Sequence, residues 1–144
     1  MKNLLILLVL FAVGCGGGKK ANSKKAMEES KEEVDVHALV DEINSSGKIT
    51  DEQAESLSKV RVLVLNGLTS ITDKQAEILS KVKQLLLYGL TTITDEQAES
   101  LSKVVLLHLN GLTSITDKQA ESLSKVKGWL SLNGLTSITD KQAE

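Results

Sequence analysis

One unit of the sequence decides the fold: residues 71–92 read ITDKQAEILSKVKQLLLYGLTT, and close copies of this unit fill the chain from residue 49 onward. The copies begin at Ile49, Ile71, Ile93, Ile115 and Ile138, so their spacing is 22 residues three times and 23 residues once. A period of roughly 20–50 residues is typical of arrays in which each unit buries its apolar side against its neighbours. We therefore expect a stacked repeat rather than a single globular core.

The second half of the unit carries the pattern of a strand. Leu63, Val64 and Leu65 alternate, and we expect the leucines to face inward and the valine outward. Asn66 and Gly67 follow, a pair that permits a tight turn with positive φ. Each copy therefore predicts a short strand that ends in a turn.

The first half of the unit carries the pattern of a helix. Thr72 and Gln75 have the spacing of a capping box, in which each residue bonds to the backbone of the other. The same pair recurs as Thr50/Gln53, Thr94/Gln97 and Thr116/Gln119. Apolar residues such as Ala76 and Leu79 then follow at helical spacing and should face inward, while Asp, Lys, Gln, Glu and Ser coat the outer side. The sequence thus predicts an α/β repeat.

The apolar positions of the array resemble leucine-rich repeats. Counted from the valine before each strand, they fall at positions 1, 4, 6, 9 and 12, as in Val60, Leu63, Leu65, Leu68 and Ile71, with a slip of one residue in the fourth copy. The run Leu-x-x-Ile-Thr-Asp is similar to Cys-x-x-Ile-Thr-Asp of the cysteine-containing type, with Leu in the slot that holds Asn or Cys in that family. The resemblance covers residues 49–144, and it implies a leucine-rich-repeat solenoid of short parallel strands and helices over residues 48–144.

The first residues of the chain resemble a bacterial lipoprotein signal. Residues 4–13 are apolar, too short for a membrane span of about 20 residues and typical of a secretory signal. The sequence AVGC at residues 12–15 resembles the lipobox, which implies a signal peptide over residues 1–14 and acylation of Cys15. The resemblance places the protein in the bacterial cell envelope, and Gly16 favours the outer membrane over the inner. An ordinary secretory signal with a coincidental cysteine is the alternative.

Two segments separate the signal from the array. Residues 15–32 predict a flexible acylated linker, because their glycines, lysines and serines bury too little surface to offset the entropy of ordering. Their lysines also suit anionic headgroups. Within residues 33–47, one apolar stripe at helical spacing consists of Val36, Leu39, Val40 and Ile43. This stripe predicts an amphipathic capping helix, which the Asn-Ser-Ser-Gly run at residues 44–47 should end.

The composition argues against several classes of function. The net charge of −2 does not fit the basic footprint of a nucleic-acid-binding protein. Two histidines, His37 and His108, are too few for a metal cluster or a catalytic triad, and the single cysteine belongs to the predicted anchor. The sequence therefore predicts a protein that is not an enzyme and that holds no metal or cofactor.

The outward strand positions vary between copies while the rest of the unit barely changes. We predict that a protein or a glycan binds there, since exposed aromatic side chains are enriched at binding hot spots. The candidate residues are Val64, Leu86, Tyr88, Leu106, His108, Trp129 and Ser131. The alternative explanation of the variation is drift between duplicated copies. The alternative function is that of a structural surface lipoprotein that self-associates end to end through its last repeat, residues 129–144.

Overall fold

Short helices and strands alternate along residues 34–143, the part of the chain that the computed structural model describes. The helices are α1 (Val36–Ser46), α2 (Asp51–Leu57), α3 (Asp73–Leu79), α4 (Asp95–Leu101), α5 (Asp117–Leu123) and α6 (Asp140–Ala143). The strands are β1 (Val62–Val64), β2 (Gln84–Leu86), β3 (Leu106–His108) and β4 (Trp129–Ser131). The predicted alternation of strands and helices is confirmed. The predicted signal peptide, the linker and Cys15 lie outside the described residues.

The strands form one parallel sheet in the order β1-β2-β3-β4. Their central leucines are register partners, Leu63 with Leu85, Leu85 with Leu107, and Leu107 with Leu130. Leu63, Leu85 and Leu107 are buried in a core that also contains the apolar side of the helices, including Ala76 and Leu79. The predicted inward register of these leucines is therefore confirmed. Because burial of a leucine side chain is worth about 1.5–3 kcal/mol, these residues stabilise the packing of the repeats.

The predicted capping boxes are present at the start of α2, α3, α4 and α5. The prediction that glutamine coats the outer side is wrong for Gln75, Gln97 and Gln119, which are buried. Each of them donates its Nε2–H to an isoleucine carbonyl in the preceding repeat, as Gln97 does to the Ile71 oxygen at 2.9 Å. A buried amide needs partners for both of its polar atoms, and the neighbouring repeat supplies the second one.

The turn after each strand differs from the prediction. Among the glycines of the described range, only Gly47 is recorded with positive φ, at 70°. Gly67 is needed for a different reason: a Cβ atom there would overlap the backbone of Asn44, near the end of α1. A Cβ atom on Gly89 would lie 2.6 Å from the Asn66 carbonyl oxygen. Close stacking of turns between repeats, rather than a left-handed backbone, therefore requires glycine.

The amphipathic helix predicted before the array is α1. The Asp35 side chain accepts hydrogen bonds at its start, and Gly47 ends it in the left-handed conformation. The helix thus continues through the Asn-Ser-Ser residues that the sequence predicted as its end. Ile43 is fully buried in the core, and the Asn44 side chain accepts a hydrogen bond from the Gly67 backbone at 2.9 Å. These contacts join α1 to the first strand-containing repeat.

Candidate functional site

The outward positions of the four strands, with the residue two places beyond each strand, define what we call the strand face. It consists of Val62, Val64, Asn66, Gln84, Leu86, Tyr88, Leu106, His108, Asn110, Trp129, Ser131 and Asn133. No Asp, Glu, Lys or Arg occurs in this set, although 25% of the chain is charged. The strand face therefore consists of apolar, aromatic, imidazole, hydroxyl and amide side chains.

Parallel pairing arranges the strand face in rows. Val64, Leu86, His108 and Ser131 are successive register partners and form one row. Leu106 and Trp129 are partners in the other row. At about 4.8 Å between strands, each row spans about 14 Å. The structure thus brings together the candidate residues that the sequence placed on one face.

Tyr88 and His108 form an aromatic pair on the strand face. Their ring centroids lie 6.1 Å apart with the planes at 64°, an edge-to-face arrangement. Such pairs contribute about 0.5–1.5 kcal/mol beyond the area they bury. The Tyr88 ring is nevertheless 38% exposed. The pair therefore presents a preorganised aromatic surface, which reduces the side-chain entropy that a partner must overcome on binding.

Trp129 and Ser131 lie on the same strand but in different environments. Trp129 is 64% exposed, more than any other large apolar residue in the described part of the chain. Ser131 is only 8% exposed, and its hydroxyl donates to the Asn110 side-chain oxygen at 2.8 Å. The same oxygen accepts from the Asn133 backbone at 3.1 Å. Trp129 is therefore available for contact, whereas Ser131 links two neighbouring turns.

Charged groups gather at the helix starts rather than on the strand face. Lys74 and Asp51 form an ion pair at 2.7 Å between adjacent repeats, and Lys118 and Asp95 form the equivalent pair at 3.3 Å. The hydrogen bond from Lys74 lowers the pKa of Asp51, and the same bond raises the pKa of Lys74. Exposed pairs of this kind contribute little to stability. Sequence reasoning missed them because their partners lie in different copies.

Two classes of site are absent from residues 34–143. No group of three or more His, Cys, Asp or Glu side chains in this range could hold a metal ion. Within the same range, no helix has the length and apolar character needed to cross a membrane.

Comparison with known proteins adds no assignment. No protein family, no curated protein and no solved structure matches this chain. The resemblances to leucine-rich repeats and to bacterial lipoproteins stay predictions from the sequence, as does self-association through residues 129–144.

Proposed function

We propose that the chain is a lipid-anchored protein of the bacterial cell envelope whose leucine-rich-repeat solenoid binds a protein or glycan partner through the strand face, without catalysis. One observation carries the proposal: side chains vary on the strand face over a nearly constant scaffold, and the variation places exposed aromatic groups there.

The contrast between helices and strands supports binding. Helices α2 and α4 both read DEQAESL, α5 reads DKQAESL and α3 reads DKQAEIL. The strands read VLV, QLL, LLH and WLS, with only the central leucine in common. Folding requires that central leucine because it is the residue that enters the core. It does not require Trp129 or Tyr88, whose exposed rings resemble the hot-spot residues of interfaces.

Membrane anchoring follows from the lipobox-like sequence that ends at Cys15. Two or three acyl chains hold a protein stably on a membrane, whereas a single chain is marginal. The proposed location is therefore the membrane surface of the envelope, with the outer membrane favoured by Gly16.

Site-specific photocross-linking in bacterial cells tests the strand face. A photoreactive phenylalanine analogue would replace Tyr88 or Trp129, with Glu77 and Glu99 on α3 and α4 as exposed control positions. We expect one defined adduct from the strand positions and none from the helix positions. Trp129→Ala should then weaken binding of the captured partner by at least about tenfold, which corresponds to 1.4 kcal/mol.

Two results would contradict the binding proposal. One is the same set of adducts from helix and strand positions. The other is a captured partner whose affinity is unchanged by Trp129→Ala but abolished by substitutions on the helices. Cross-links that join two copies of the chain through residues 129–144 would instead favour the self-associating structural protein.

Acylation is tested separately. Cys15→Ala should leave an unlipidated precursor that retains residues 1–14, and mass spectrometry of the unsubstituted protein from a detergent phase should find acyl mass on Cys15. Ser23→Ala, in the same predicted linker, is the control and should leave the acyl mass in place. A mature, unmodified and freely soluble chain would refute the anchor.

A further inference from the structure

Positive charge collects in the connections that lead from each helix into the next strand, residues 58–61, 80–83, 102–105 and 124–128. We call these basic residues the basic edge: Lys59, Arg61, Lys81, Lys83, Lys103, Lys125 and Lys127. All of them are exposed, and the four connections contain no Asp or Glu. The net charge of −2 conceals this clustering.

The backbone places these connections side by side. The Gln84 amide donates to the Arg61 carbonyl at 3.0 Å, and the Val105 amide donates to the Lys83 carbonyl at 3.2 Å. The Trp129 amide donates to the Val105 carbonyl at 3.1 Å. Neighbouring connections are therefore about one strand spacing apart, about 4.8 Å. The basic residues form a row along one side of the sheet, which the exposed Val105 interrupts in the third connection.

Folding explains only part of this row. The four lysines that follow the helix ends, such as Lys59, can interact favourably with the negative end of the helix dipole. Arg61, Lys83 and Lys127 lie two residues farther on, where that interaction has faded. Among the described residues, the ion pair recorded for the basic edge is Lys81 with Glu55, at 3.7 Å. Most of the positive charge is thus exposed without an ionic partner in this range.

The opposite side of the array has the opposite sign. The helix starts carry Asp51, Glu52, Asp73, Asp95, Glu96, Asp117 and Asp140, against Lys74, Lys118 and Lys141. The strand-to-helix connections, residues 65–72, 87–94, 109–116 and 132–139, carry no charged side chain. Four glutamates on the helices, Glu55, Glu77, Glu99 and Glu121, weaken the positive field beside the basic edge. The asymmetry nevertheless defines one side that an anionic surface attracts and one that it repels.

We propose that the basic edge docks on an anionic phospholipid surface and orients the array with its strand face open to solvent. An exposed row of cations can meet a plane of headgroups without a groove or pocket. The inference rests on the proposed function in one respect, because the anchor at Cys15 supplies the membrane. A flexible linker of 18 residues would have an r.m.s. end-to-end distance of roughly 21–25 Å, which gives the array ready access to that membrane.

Vesicle binding without an acyl chain tests this directly. The probe is the mature chain, residues 15–144, with Cys15→Ser, added to vesicles of phosphatidylcholine alone or mixed with phosphatidylglycerol. A basic residue near an anionic surface raises partition about fivefold. We therefore expect the triple variant Lys83→Gln, Lys103→Gln, Lys127→Gln to bind mixed vesicles about 100-fold more weakly. Binding should also fall as salt shortens the Debye length from about 8 Å.

The control has the same net charge as the test variant. Lys74→Gln, Lys118→Gln and Lys141→Gln remove the same number of positive charges from the opposite side and should change binding less than about threefold, since those groups face away from the lipid. The charge-conserving variant Lys83→Arg, Lys103→Arg, Lys127→Arg should bind as the unsubstituted chain does. Circular dichroism of all three variants verifies that these exposed substitutions leave the fold intact.

Several results would overturn the proposal. Equal losses in the test and control variants would show that total charge, not the basic edge, determines binding. Equal binding to neutral and mixed vesicles would show that the anionic headgroups are not what the chain recognises. Loss of binding in the arginine variant would show that the positive charge of the basic edge is not sufficient. Binding to duplex DNA or to an anionic polysaccharide, with none to mixed vesicles, would assign the basic edge to a different partner. None of these outcomes depends on acylation or on strand-face cross-linking, so a failure here is distinguishable from failure of the proposed function.

Discussion

Gln97→Glu is the sharpest test of how neighbouring repeats are joined. The Gln97 side chain is 6% exposed, its oxygen accepts from the Thr94 backbone at 3.0 Å, and its Nε2–H donates to the Ile71 carbonyl at 2.9 Å. Glutamate has nearly the same shape and keeps the acceptor for Thr94. It replaces the donor with an oxygen that faces the carbonyl oxygen of the neighbouring repeat.

The expected cost follows from these two contacts. A buried carbonyl that loses its partner costs about 1–3 kcal/mol, and a charged group raises that cost. We expect Gln97→Glu to lower the free energy of unfolding by about 2–4 kcal/mol at pH 7. The free energy of unfolding of a native domain is typically about 5–15 kcal/mol, so the expected loss is a large fraction of it.

The cost should depend on pH in a defined direction. Burial and the facing carbonyl dipole disfavour the charged form, so the pKa of the introduced carboxyl rises above its unfolded value of about 4.3. Below that value the protonated acid can donate to the Ile71 carbonyl, and most of the stability returns. The deficit grows as pH rises from about 4.3 through the raised folded pKa and is constant above it. If about 2 kcal/mol of the lost stability depends on pH, the pKa of the introduced carboxyl is raised by about 1.5 units on folding.

Urea unfolding monitored by circular dichroism at pH 4 and pH 7 measures both effects. The matched control is Gln53→Glu, because Gln53 occupies the same capping position in α2 but donates to the exposed Glu42 carboxylate at 3.2 Å instead of a carbonyl in a preceding repeat. We expect a loss below about 1 kcal/mol there, as for other exposed interactions. Equal losses at the two positions, or a Gln97→Glu deficit that is the same at pH 4 and pH 7, would refute the reasoning.

Three further predictions concern the core, the turns and the helix starts. Leu87→Ala should cost about 2–5 kcal/mol in urea unfolding because Leu87 is fully buried, whereas Leu86→Ala, on the outward side, should cost much less; equal losses would mean that the strand register is wrong by one residue. Gly111→Ala should lower the thermal midpoint, since a Cβ atom there would lie 2.6 Å from a backbone carbonyl oxygen, and an unchanged midpoint would contradict the close stacking of turns. Lys74→Met should raise the pKa of Asp51 toward its ordinary value in an NMR titration, because the hydrogen bond from Lys74 lowers that pKa; the stability that the bond gives is present at neutral pH and is lost as pH falls through the lowered pKa.

The repeat period, the alternation of strands and helices, and the inward leucines could all be predicted from the sequence. These features depend on residues that are close along the chain or that recur at a constant spacing. Thr72 and Gln75 form a capping box whatever lies beside them, and Leu63 must face the core if Val64 faces solvent. The membership of His108 in the strand face follows from the same period of two.

Only the tertiary structure decided what happens between repeats. Burial of Gln97 and its bond to the Ile71 carbonyl depend on a neighbour that is 26 residues away in sequence, and the pattern within one copy looks the same for an exposed glutamine. The need for glycine at Gly89 likewise comes from the distance between stacked turns and not from its own φ. Ser131 has an outward position but is covered through its bond to Asn110, whereas Trp129 on the same strand stays exposed. A repeated sequence specifies each layer, but the spacing between layers fixes which polar groups find partners and which remain available to a ligand.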